Sequence, residues 1–307
     1  MTSYLITTTD RTRWPISGHL VFVGTFCLPE NPESLIGQYT YEVADISIQA
    51  DQLAEYFLLS QSLHRVLNNR LAKALNDLHS VQETERYWSI TTGIWLRLFT
   101  ELIVTRFVTL LQISQRHQEL KLVSVDTKLT PRAPLNFRQH HEFLKSPAWN
   151  SVVYADLWES VQSIQPIVGR HENHESVLET KQASSSNSRA VISATYLPKY
   201  KEALLQLSFG AFPKRLKVVQ APGIPVNTEI RNKFPLTDAT LNPFENLALS
   251  LVYAYLPTTW VEGLKELTNL CNAMEYPIAP KVIFTSNRHL YDDVFNNWAA
   301  EATKRGS

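Results

Sequence analysis

Apolar residues along this chain fall into two long helical stretches separated from several short strand-like runs. From Asp51 to about Leu78, Leu53, Tyr56, Phe57, Leu63, Leu67, Leu71, Leu75 and Leu78 recur at helical spacings, with no Pro or Gly among them. That spacing predicts an amphipathic helix with Asp51 as its N-cap. A second long helix is predicted from about Glu85 to Arg116, and it has no clean polar face. Arg97 and Glu101 share one side at i,i+4, while Trp88, Trp95 and Arg106 lie on the opposite side. Leu96, Val104 and Phe107 fill much of the remainder. A helix apolar nearly all round belongs at the centre of a fold.

The runs His19–Gly24, Tyr41–Ile46, Lys121–Val125 and Arg215–Val219 read as strands. Helices are expected over 149–164, 197–209, 244–256 and 260–274, and Pro131–Pro147 reads as irregular. Residues 166–190 carry Arg170-His171-Glu172-Asn173-His174-Glu175 and a Ser-rich run, the composition of a flexible loop. The last segment reads as a strand over 281–287 and a helix over 291–301. Strands alternating with helices predict an α/β fold with a mainly parallel sheet and the two long helices within 51–116 as an insertion. A strand followed by a helix is ordinarily followed by a further parallel strand. The final unit is therefore expected either to close the sheet or to border a further part of the protein.

Composition narrows the classes. The 307 residues are 44% hydrophobic and 19% charged, enough for a substantial core. Lys+Arg and Asp+Glu both number 29, so no global basic field argues for nucleic acid or an anionic membrane surface. Two cysteines, Cys27 and Cys271, suit a reducing cytoplasm rather than a disulfide framework. The first residues lack the pattern of a signal peptide, and neither apolar window, 94–111 or 244–257, suits a bilayer span.

Candidate chemistry is sparse. No Gly-x-Ser-x-Gly elbow, P-loop or Gly-x-Gly-x-x-Gly occurs among only nine glycines. His171 and His174 lack a third metal ligand, and the adjacent His140 and His141 point apart, so no metal is expected. Cys27 follows a strand but has no visible partner base, and a buried structural thiol is the better reading. Leu75–His79 followed by Arg86–Leu96 gathers Arg86, Tyr87, Trp88 and Trp95 at one helix start. Such residues suit a sugar or anion pocket, but from spacing alone a helix junction pinned by large side chains is the better reading. At the carboxyl end of the last strand, Ser286, Asn287, His289 and Asp292-Asp293 could bond hydroxyls, or the two acids could cap the helix.

The stretches Gly24–Cys27, Leu75–His79, Arg86–Leu96 and Phe284–Asn287 through Asp292 to Glu301 resemble a family of transferases encoded in bacterial O-antigen and surface-polysaccharide gene clusters. The chain departs from that family at Thr25, Ser89, Ile94 and Thr105, where the family tends to carry an acid, a basic residue, a Pro and an acid. Those members are about twice this length and look like two-domain GT-B glycosyltransferases. The resemblance implies a Rossmann-like acceptor-side domain over 1–280, with its flexible loop at 166–190. The strand-helix at 281–307 would lead to a carboxy-terminal donor domain outside this chain. It implies a nucleotide-activated sugar as donor, no bound cofactor or metal, and a glycan or lipid-linked glycan as acceptor. It also implies a separate donor-domain polypeptide as a partner if the two halves are not one chain. The place of work would be the cytoplasm, with peripheral association at the inner face of the cytoplasmic membrane. Its site candidates are His79, Arg86, Tyr87, Trp88 and Arg106 for acceptor or interdomain contacts, and Ser286, Asn287 and Asp292 at the cleft. No catalytic residue is assigned. The alternative is a non-catalytic binding or scaffold protein that keeps the α/β fold.

Overall fold

The computed structural model describes residues 2–44, 50–117, 119–123, 130–161, 163–164, 190–210, 216–235, 237–278 and 280–304. Four strands, β1 (Ser3–Ile6), β2 (His19–Phe22), β3 (Thr40–Val43) and β4 (Leu120–Leu122), form one sheet in the order β3-β2-β1-β4. Every pair is parallel, with Leu5 opposite both Val21 and Leu122. This is the strand order of a Rossmann half-sheet. The central strand, β1, is absent from the pattern reading, because only Leu5 and Ile6 of its four residues are fully enclosed.

Between β3 and β4 lie α1 (Ala50–His79), α2 (Glu85–Thr91) and α3 (Gly93–Arg116). The single helix expected over 85–116 is two. Thr91 and Thr92 donate their hydroxyls to the carbonyls of Tyr87 and Trp88, both at 2.9 Å. This back-bonding bends helices, and here the backbone breaks at Thr92 before restarting at Gly93. The centrality read for α3 holds: it packs on α1, α2, α5 (Pro147–Val161) and α8 (Pro243–Tyr255). Arg97 and Glu101 do pair, at 3.1 Å.

The short helix α4 (Phe137–Phe143) occupies the stretch read as irregular. Beyond α5 come β5 (Val191–Ser193), α6 (Lys199–Ser208), α7 (Thr228–Arg231), α8, α9 (Thr258–Val261), α10 (Leu264–Ala273), β6 (Ile283–Thr285) and α11 (Asp293–Lys304). Nearly all of 166–190, including His171 and His174, lies outside the described residues.

β5 and β6 form a second, two-stranded parallel sheet, with Ile192 opposite Phe284. The strand read at 215–219 is not one: 216–219 is irregular. The carbonyls of Leu216 and Lys217 instead accept bonds from the Arg288 guanidinium. Arg288 is almost wholly enclosed. It pairs with Asp292 at 2.8 Å and also reaches Ser193 Oγ at 3.0 Å and Tyr276 Oη at 2.9 Å. One side chain thus ties α11, β5, the 216–217 segment and Tyr276 together. Removing one member of a buried pair leaves the other charge without compensation. Arg288→Met is expected to lower unfolding free energy by about 3–5 kcal/mol, read from urea midpoints. A loss within experimental error would show that this guanidinium organises nothing.

Candidate functional site

Three of the four residues at the 79–88 segment serve the packing of helices. Trp88 is fully buried and donates Nε1–H to Asn76 Oδ1 at 2.8 Å. Tyr87, 3% exposed, stands edge-on to Trp88 and donates its hydroxyl to Asn297 Oδ1 on α11 at 3.0 Å. Burial, with Glu301 and Glu83 nearby, pushes the Tyr87 phenol far up. His79 stacks on Trp88, and its Nε2 lies 3.0 Å from the Trp260 carbonyl. A carbonyl only accepts, so Nε2 carries the proton, and burial holds the ring below its ordinary pKa. Arg86 is exposed.

At the terminal unit, the Ser286 amide donates to Ala194 O at 3.3 Å, continuing the β5–β6 pairing. Asn287 precedes the 3-10 turn Arg288–Leu290, and its Oδ1 is buried without a hydrogen-bond partner. Asp292 is committed to structure, holding Arg288 through Oδ2 and capping α11 by accepting Phe295 N–H through Oδ1 at 2.9 Å.

Folding joins these two segments through the Tyr87–Asn297 bond, and beyond Asp293 an aromatic group gathers around Phe137. Trp95 lies 5.8 Å from His140 and 6.1 Å from Trp260, ring centre to ring centre, and Phe137 is 6.2 Å from both His140 and Trp260. Asp293 Oδ2 accepts the Phe137 amide at 3.2 Å. Several buried polar atoms in these residues and their neighbours have no hydrogen-bond partner. They are Nε1 of Trp95 and Trp260, both His140 ring nitrogens, Thr259 Oγ1, Asp293 Oδ1 and Asn297 Nδ2. Such a concentration is unusual, since buried polar groups are nearly always bonded. Burial pushes the Asp293 carboxyl up to about 7. Burial, then the charges of His141 and Arg106, brings His140 down to about 3. At neutral pH the imidazole is therefore uncharged, and the Asp293 carboxyl still holds part of its proton. Only the fold shows this group, because Phe137 and Asp293 are 156 residues apart.

A second concentration lies beyond the carboxyl ends of β1 and β2, where ligands of open parallel sheets bind. Ser151, on α5, donates to the carbonyl of Thr7, just past β1, at 2.7 Å. Cys27 follows β2, and burial pushes its thiol up to about 12, consistent with the structural reading. Arg106, on α3, lies over the Tyr154 ring at 5.0 Å and donates Nη2–H to Asn150 Oδ1. Its Nη1 is buried without a partner, as is Thr7 Oγ1. Among the described residues no three His, Cys, Asp or Glu side chains gather as a metal site requires. No described helix is long and apolar enough to cross a membrane.

A surface cleft of about 600 Å³ between α1 and the 233–253 region was not singled out by the sequence. It brings Lys73 and Lys233 beside the Arg70–Asp238 pair, which is 2.7 Å long.

The half-sheet order and the helical block between β3 and β4 define a Rossmann-like α/β protein. More narrowly, the family model described as LIC12162 family transferase matches residues 3–307, and the chain belongs to that family. No curated protein and no solved structure matches the chain. The expectation of a transferase family is borne out at that level.

Asp293 and His140 make opposing contributions to stability against pH. Asp293 is raised from 3.8 to about 7, so its contribution is full below pH 3.8 and is lost as pH rises through 7. His140 is lowered from 6.5 to about 3, so its contribution is full above pH 6.5 and is lost as pH falls through 3. Asp293→Asn should therefore be more stable than the parent at pH 8 by a few kcal/mol, since each tenfold change in proton affinity is worth about 1.4 kcal/mol. That advantage should vanish by pH 4, and the variant alone should weaken steadily on acidification. Urea midpoints at pH 4, 6 and 8 provide the comparison. Parallel curves for the two proteins would exclude an enclosed protonated carboxyl.

Proposed function

We propose that this transferase is glycosyltransferase-like, acts in bacterial surface-polysaccharide (O-antigen) biosynthesis, and is represented here by its acceptor-side half. The residue resemblance over 24–27, 75–79, 86–96 and 284–301 supports the chemistry, and the Rossmann-like half-sheet is compatible with one half of a GT-B architecture. A nucleotide-activated sugar would be the donor and a glycan or lipid-linked glycan the acceptor, without a bound metal. Such transfer depends on positioning the two substrates and on stabilising charge on the departing phosphate.

One observation carries the half-protein reading. β5 is buried throughout, whereas Val282 and Phe284 beside and within β6 are about half exposed, at 49% and 50%. α6, packed on β5, exposes Tyr200, Leu204 and Leu207 at helical spacing, preceded by the 82%-exposed Tyr196. Parallel sheets are normally covered on both faces, and two strands alone make a marginal sheet. Exposed apolar surface of this kind marks an interface. A second α/β half, in the same or a separate polypeptide, would complete the sheet and close a cleft containing Ser286 and Asn287.

Two measurements test this. The 307-residue protein given labelled nucleotide sugars and lipid-linked acceptors is expected to show no transfer. Robust transfer without an added partner would overturn the half-protein reading. Leu204→Glu with Leu207→Lys should reduce binding of an apolar dye and self-association while changing stability by no more than about 0.5 kcal/mol. A large loss of stability would mean that this face is packed internally.

A further inference from the structure

We infer that the surface cleft between α1 and the 233–253 region binds an anionic sugar, with Lys73 and Lys233 taking its acid group. The inference rests on the transferase reading only in choosing a sugar over other hydroxylated anions.

The cleft is open to solvent and measures about 600 Å³, inside the range of roughly 300–1,000 Å³ usual for small-molecule sites. Its apolar side includes Leu249 and Phe234, which stacks on Tyr253 with ring centres 4.4 Å apart. Its charged side comes from two parts of the chain. α1 contributes Arg70, Lys73 and Asp77, and the segment after α7 contributes Lys233 and Asp238. Arg70 and Asp238 pair at 2.7 Å, and Thr240 braces both. Its hydroxyl accepts from Arg70 Nη2 at 2.7 Å, and its amide donates to Asp238 Oδ1 at 2.9 Å. That pair joins the two walls and uses up one charge of each sign. Lys73 and Lys233 are exposed, and among the described residues neither ammonium pairs with a carboxylate, although Asp77 stands one helical turn from Lys73. Two free cations against one free carboxylate leave the cleft a positive surplus, in a chain whose net charge is zero.

The other polar groups are hydroxyls. Tyr253 is 6% exposed, and its hydroxyl has no hydrogen-bond partner among the described residues. Burial pushes that phenol up to about 12, with the Asp238 charge adding to the rise and Arg70 opposing it, so its oxygen lies within reach of their fields. Ser80 ends α1 at φ 54, a left-handed position that favours glycine, and lines the cleft with a second hydroxyl. Thr237 supplies a third. This mixture selects the ligand. Ammonium groups attract an acid group, while carboxylates and hydroxyls accept hydrogen bonds from the hydroxyls of a sugar. A plain polyanion would be repelled by Asp77 and Asp238. An uncharged sugar would use neither ammonium. No covalent step is assigned to the cleft.

Two acid groups share this chemistry, a carboxylate and a phosphate. Thermal midpoints and calorimetry on the 307-residue protein would use glucuronate and glucose 6-phosphate, with glucose and inorganic phosphate as controls. At least one acidic sugar is expected to raise the midpoint saturably at millimolar concentration and to bind about tenfold or more tightly than either control. A response to glucuronate alone assigns a carboxylate, and a response to glucose 6-phosphate alone assigns a phosphate. Lys73→Gln with Lys233→Gln should weaken that binding about tenfold or more. The urea midpoint should not move, since both side chains are exposed. Ser80→Gly, which relieves the left-handed backbone, should be at least as stable as the parent yet bind the acidic sugar more weakly. No response to either acidic sugar, a response matched by inorganic phosphate, or one that the double substitution leaves intact overturns the inference. Binding is read without turnover, so this outcome stands apart from the half-protein reading, which is judged on transfer and on the α6 face.

Discussion

The sheet is too small to organise this protein, and α3 compensates for it. The four strands of the main sheet are three or four residues long. Independent stability for so short a sheet requires packing against helices. α3 is the centre of the helical part: Trp95, Leu96, Phe99, Ile103, Phe107 and Leu110 are fully enclosed. Helices α1, α2, α5 and α8 pack around it. The same enclosure explains why its one central charged residue, Arg106, stands out. Asn150 and Tyr154 hold it there.

Much of the helical layer was legible because long apolar periodicity survives tertiary packing. α1 and α8 fall within one or two residues of their expected limits, and the i,i+4 pair on α3 formed. The failures have separate causes. β1 was missed because a four-residue strand carries too little pattern. The 215–219 run was read as a strand from its apolar residues, yet the carbonyls of Leu216 and Lys217 bond a side chain some seventy residues away. The break at Thr92 was written in Thr91-Thr92-Gly93, where hydroxyl back-bonding competes with the helix.

The candidate site shows the same limit more sharply. The stretches that carry the family resemblance, 75–79, 86–96 and 284–301, meet in space through α1, α2, α3 and α11. Their meeting is made by packing and by bonds such as Tyr87 to Asn297. An Arg-Tyr-Trp cluster reads alike in a pocket and in a junction, because both need large amphipathic side chains. Only burial separates the two, and burial is a property of the assembled fold. The members of the group around Phe137 were read apart, His140 as a rejected metal ligand, Trp95 in the aromatic helix start and Asp293 as a cap, and only the fold sets Trp95, Trp149 and Phe99 around His140.

The first turns of the terminal helix are fastened to different parts of the molecule. Through Asn297 it holds α2, through the Asp293 carboxyl it holds α4, and through Asp292 and Arg288 it holds β5. It therefore acts as a strut between the helical layer and the second sheet. A tilt of β5 and β6 under an approaching partner would be carried as strain along α11 into the polar group around Phe137. Assembly at one surface and the protonation of an enclosed carboxyl would then share a single mechanical linkage.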